Sequence, residues 1–93
     1  MAFILTKPLN EQKQEFIAEV NKLAGDKILI KYPIYKQINL GREPQSQETI
    51  DMYAYIDGIR NHSNEANNGI ILATSIAEIR ALVDQFKSYL EIL

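Results

Sequence analysis

No cysteine occurs in this chain, and no tryptophan. The first absence removes disulfides, thiolate zinc sites and thiol nucleophiles together. It also fits a reducing compartment. The single histidine, His62, has Glu65 three residues on as a second ligand, but a zinc site needs three or four. No metal or other cofactor is therefore expected. Glycine is scarce, and Gly25, Gly41, Gly58 and Gly69 stand apart from one another, so no phosphate-cradling loop exists. No run approaches the roughly 20 apolar residues that a membrane-crossing helix needs. The apolar stretch in Met1-Ala2-Phe3-Ile4-Leu5 is too short for a signal-peptide core and lacks a basic start, so the expected location is cytoplasmic. Neither charge dominates: 10 Lys and Arg stand against 12 Asp and Glu, a net of −2. That balance supplies no bulk field for nucleic acid and makes it an unfavoured partner.

What is present is helical periodicity. The 93 residues make one small domain, 1–93. Leu9, Phe16, Ile17, Val20, Leu23 and Ala24 share one stripe, with most of the charged residues off it. Thr6 or Asn10 can cap that segment. In a second window Ile50, Tyr53, Ile56, Ile59 and Ser63 share a face; Ser46 can cap its start, and Asn67-Asn68-Gly69 supplies a stop. In a third, Ile76, Ile79, Val83, Phe86, Leu90 and Leu93 recur every three or four residues, and Ser75-Ile76-Ala77-Glu78 is a capping box.

The window from Asp26 to Leu40 supports two readings. By alternation, Ile28, Ile30, Tyr32 and Ile34 make a strand pattern. By helical period, Ile28, Lys31, Tyr35 and Ile38 align. Pro33 opposes both an uninterrupted helix and a central strand. No other window alternates well enough to pair with a strand, which favours a helix that kinks or restarts near Pro33. The expected fold is all-α: a small helical bundle built on an antiparallel helical hairpin. Its helices span about 9–24, either ending there or continuing, kinked, as a second helix over about 27–40, then 46–67 and 75–92.

Segment charges suit packed neighbours. Residues 26–43 carry four basic and two acidic residues, a net of +2, and residues 44–69 carry four acidic and one basic, a net of −3. Tyr32, Tyr35, Tyr53 and Tyr55 suggest an aromatic cluster, with Tyr53 and Ile56 expected inward and Tyr55 left for contact. Gly58 is expected to admit the close approach of another segment, with Tyr35 the candidate. Asp57 and Arg60 lie three apart, facing Lys36 and Gln37, and are expected to form ion pairs that fix helix register. No nucleophile–base pair or carboxylate pair is present in a defensible arrangement, so no enzyme activity is expected. The candidate partner contacts are Tyr35, Lys36, Gln37, Tyr55 and Arg60. An exposed face around Tyr89, Ile92 and Leu93 would be buried by a homodimer.

Ile28, Tyr32-Pro33, Tyr35-Lys36-Gln37 and Asn39-Leu40 form one motif. Met52, Tyr55-Ile56-Asp57, Ile59-Arg60 and Ser63-Asn64 form a second, followed by Ala73-Thr74-Ser75-Ile76-Ala77-Glu78-Ile79. Together they resemble a pattern that recurs in small phage and prophage proteins found near tail-fibre and tail-assembly genes. Tyr35 stands where that family often has tryptophan. The resemblance implies a helical hairpin and no catalytic residue. It implies protein–protein contacts, as a virion component or tail assembly factor, in the host cytoplasm or the virion. The alternative expectation is a small regulator that binds nucleic acid or a host protein.

Overall fold

Two serines and two prolines set most of the helix boundaries. A computed structural model describes residues 7–93, so the capping candidate Thr6 lies outside the described residues. Pro8 precedes the first helix, α1 (Leu9–Lys31), without a side-chain cap; its fixed φ of −54° suits a helix start, and its carbonyl accepts from the Glu11 and Gln12 amides. Asn10 does not cap. α1 runs through Gly25, where an added Cβ would meet nothing within 4 Å, so of the two readings of its end the continued helix is the one that forms. A helical glycine costs about 1 kcal/mol relative to alanine, too little to stop a helix that buries Ile28 one turn later. The break comes at Tyr32-Pro33, both outside the helical region (ψ 78° and 157°). The proline ring pushes its predecessor out of the helical region. The short α2 (Ile34–Gly41) follows.

Ser46 caps α3 (Gln47–Leu72), its hydroxyl accepting from the Thr49 amide at 3.2 Å. Ser75 caps α4 (Ile76–Glu91), accepting from the Glu78 amide at 3.3 Å. The Glu78 carboxylate reaches back to the Thr74 amide and hydroxyl, both at 3.0 Å, one residue earlier than a capping box would use. These bonds, the backbone one first, hold the Glu78 carboxyl below the ordinary carboxylate range. A depressed folded-state value stabilises the fold above the unfolded value and loses that contribution as pH falls through the folded one. Replacing Glu78 by Gln should therefore reduce the melting temperature at pH 7 and leave it nearly unchanged at pH 3, which thermal scans at the two pH values would show.

α3 does not stop at Asn67-Asn68-Gly69. Gly69 has no positive φ, and helical geometry continues to Leu72. Ile70 is fully buried, and that burial is worth about 1.5–3 kcal/mol, more than the glycine costs. Gly69 serves close approach instead: a Cβ there would lie 2.8 Å from Leu82 Cδ1 on α4. Gly69→Ala gains up to about 1 kcal/mol of helix propensity against an overpacking cost of about 1–3 kcal/mol. The expected net effect is modest destabilisation, relieved when Leu82→Ala is added; a double-mutant cycle by urea denaturation measures it.

Four helices and no strand make up the described residues, so the chain is all-α, and the strand reading of residues 26–40 is overturned. Residue pairs run oppositely along α1 and α3: Lys13 donates to the Ile71 carbonyl, Asn67 to Asn21, and Tyr32 meets Tyr55. α4 lies along the same two helices, with Leu82 against Gly69 and Lys87 paired to Glu19 at 3.3 Å. The core is Val20, Ala24, Ile28 and Tyr32 against Met52, Ile56, Ile59, Ala66 and Ile70, closed by Ile79, Val83, Phe86 and Leu90. The molecule is a rod of 64 × 20 × 19 Å. α4 ends beside the middle of α3, which leaves α2 and the first turns of α3 at one tip. Of the expected pairing of residues 32–40 with 52–64, the structure shows the Tyr32–Tyr55 contact. α2 sits on the start of α3, where fully buried Thr49 donates to the Leu40 carbonyl at 2.7 Å, while Met52–Asn64 packs largely on α1 and α4.

Candidate functional site

Proline sets the phase of the tip. Ile28 and Tyr32 lie one turn apart on the buried face of α1. The break at Pro33 then starts a new helix in a different phase, so Tyr35 and Ile38 do not continue the Ile28 stripe. Ile34, Tyr35 and Ile38 are 59%, 69% and 55% exposed, and α2 buries none of its residues. The outward apolar face of α2 is the feature that sequence periodicity missed. A wheel drawn from Ile34 alone would have shown Ile34 and Ile38 on one side and Lys36 on the other.

The four tyrosines do not form one cluster. Tyr32 and Tyr55 meet edge to face, centroids 5.5 Å apart at 66°. Lys31 Nζ lies 4.5 Å from the Tyr55 ring centre, and Lys36 Nζ lies 5.4 Å from that of Tyr32. Burial, and then the neighbouring Tyr32, push the Tyr55 hydroxyl up. Tyr55 is thus half-buried support for the tip, and Tyr53, expected inward, is 49% exposed. The reason is coverage. The buried stripe of α3 is Thr49, Met52, Ile56, Ile59, Ser63, Ala66 and Ile70, because α1, α2 and α4 all lie on that side. Ile50 falls outside it as well.

Of the expected contact residues, Tyr35 is exposed at the tip. Lys36 lines a shallow hollow with Tyr32, Leu40, Glu48 and Asp51. Gln37 donates to the Tyr32 carbonyl at 2.7 Å and braces the break. Arg60 lies away from them, beside Asn21, Gly25, Ser63 and Asn64 in a groove between α1 and α3. Among the described residues no ion pair joins Arg60 to Asp57, or residues 26–43 to residues 44–69. An exposed pair gains only about 0–1 kcal/mol against side-chain entropy, and Lys31 and Lys36 lie over aromatic rings instead.

A third concavity, about 220 Å³, lies between α3 and α4 and is lined by His62, Glu65, Leu82, Gln85, Phe86 and Tyr89. His62 stacks on Tyr89 with centroids 3.5 Å apart at 9°, and its Nδ1 is 2.9 Å from the Gly58 carbonyl. Gly58 admits the Tyr89 hydroxyl, 3.1 Å from where a Cβ would be, rather than Tyr35. This partnership spans helices and has no local signature. Tyr89 is consequently half-buried, which leaves Ile92 and Leu93 as the exposed remainder of the face expected at the end of α4. Among the described residues no three His, Asp or Glu side chains group as metal ligands, and no helix is long and apolar enough to cross a membrane. Comparison of the chain with family models, curated proteins and solved structures gave no match.

Proposed function

We propose that this chain is a non-enzymatic protein of phage or prophage type that acts through protein–protein contacts, as a virion component or tail assembly factor. One observation carries the reading: α2 turns Ile34, Tyr35 and Ile38 to solvent and packs on the core only through half-buried Leu40. Exposed apolar side chains grouped on one element mark interaction sites, and tyrosine brings large contact area at low entropic cost. The motif resemblance over residues 28–40 and 52–64 supplies the phage context and the setting, host cytoplasm or virion. Tyr35 is the contact residue. Gln37, Lys36 and Tyr55 hold the tip in shape around Tyr32.

A photo-crosslinking amino acid at position 35, in cells producing the phage or prophage, tests this reading. The expected result is a crosslink to a tail or assembly protein that disappears in an Ile34→Lys/Ile38→Lys variant. No crosslinked tail or assembly protein, or tight and salt-sensitive retention of DNA by the purified chain, would overturn it. The DNA result would favour the regulatory alternative.

A further inference from the structure

We infer that the outward face of α2 is a self-association surface, covered by the α2 of a second copy running antiparallel across a two-fold axis. The inference rests on the contact reading of α2 and names the first occupant of that face.

Three observations point to a second copy. The first is area. Ile34 and Ile38 lie one turn apart with Tyr35 beside them, and Tyr53 borders the same stripe because its hydroxyl lies 3.7 Å from where a Cβ of Gly41 would be. These four side chains are each about half exposed or more. They offer on the order of 400 Å² of apolar surface, roughly half of the ~800 Å² per partner in a standard interface and near its usual apolar share. The second is the absence of like charge. Lys36 is the one charged residue within α2, and it lies over the Tyr32 ring, away from the stripe. Two copies of the stripe therefore meet without like charges facing one another.

The third is that each end of α2 has what the other end needs. Its N-terminus has no side-chain cap and no acidic residue in the first turn. Such an end leaves backbone N–H groups unsatisfied and favours an anion. Its C-terminal flank carries Arg42, the C-cap, whose charge suits its own helix end, and next to it Glu43, whose charge does not. In an antiparallel pair of eight-residue helices, each about 12 Å long, the two ends meet. Glu43 of each copy then lies near the uncapped start of the other copy's α2. A partner of different sequence would have to supply that anion separately, whereas the chain itself has it at the right end.

Sedimentation velocity on the full chain from about 1 µM to 1 mM tests the inference. A concentration-dependent dimer is expected. Ile34→Lys/Ile38→Lys should be monomeric throughout, with unchanged helical circular dichroism and, at concentrations where the unsubstituted chain is monomeric, an unchanged melting temperature, because neither residue is buried in the single chain. Glu43→Lys should weaken dimerisation by about 3- to 30-fold, the effect of losing two equivalent anion–helix contacts. Ile92→Lys/Leu93→Lys, at the other exposed apolar end, should leave the dimer intact. A chain that is monomeric at 1 mM overturns the inference. So does a dimer that survives the α2 double variant, or one that dissociates in the α4 variant. If the chain is monomeric while position 35 still crosslinks a tail or assembly protein, the self-association fails and the contact reading stands. If the dimer forms and position 35 crosslinks only its own copy, the self-association stands and the proposed partner contact fails.

Discussion

Ile59→Ala is expected to destabilise the fold by about 2–5 kcal/mol, lowering the melting temperature by on the order of 10–30 °C. Ile59 is fully buried midway along α3, between Ile56 and Ser63 on the stripe that α1 and α4 cover. Truncation there loses transfer free energy and leaves a cavity that three helices cannot easily collapse. A domain this small has a total stability of only about 5–15 kcal/mol, so a large part of it disappears with one side chain. Ile38→Ala is the matched control. Its side chain is more than half exposed, and the expected change is within about 0.5 kcal/mol. Urea denaturation of both variants checks the assignment of the core. Equal effects would mean that α2 contributes as much to the stability as the core of the three long helices.

Phe86→Ala should cost about 3–5 kcal/mol and also disturb the groove between α3 and α4. Phe86 is buried with 3% exposure, and its ring centre lies 6.5 Å from that of Tyr89. Tyr89 in turn stacks on His62 and fits over Gly58. Removing Phe86 takes away the support beneath Tyr89, so the His62–Tyr89 stack should loosen with the core. The chain has no tryptophan, so tyrosine bands dominate its near-UV circular dichroism, and reduced Tyr89 signal there should accompany the lower melting temperature. A destabilised variant with an unchanged tyrosine spectrum would show that the stack stands without Phe86. Tyr89→Leu separates the two effects, since it removes the stack and keeps apolar volume over the core.

The candidate site was legible only in part. Tyr35, expected among the contact residues, is exposed at the tip. Ile34 and Ile38 were not expected there, because Ile38 also fits a stripe continued from Ile28, and a stripe assumes an unbroken helix. Tyr53 and Tyr55 were exchanged for a related reason. Two apolar stripes run down the start of α3, one through Ile50 and Tyr53 and one through Met52 and Ile56. Periodicity states that a face exists but does not state which stripe a neighbour will cover. The ion pairs expected of Arg60 and Asp57 failed on magnitude, since an exposed pair gives too little to fix a helix register.

What the amino-acid sequence determined by itself is the part of the structure written in backbone-local chemistry. Ser46 and Ser75 start helices because their hydroxyls reach an amide three residues on. Tyr32-Pro33 breaks the first long helix because proline has no N–H and restricts its predecessor. Apolar residues at helical spacing make every element a helix. Tertiary structure alone decided the rest. It carried α1 through Gly25 and α3 through Gly69, seated Tyr89 over Gly58, and left one face of α2 uncovered. Each of these depends on which surface comes to lie opposite. The local preferences involved are about 1 kcal/mol, and burial of a single large apolar side chain outweighs them.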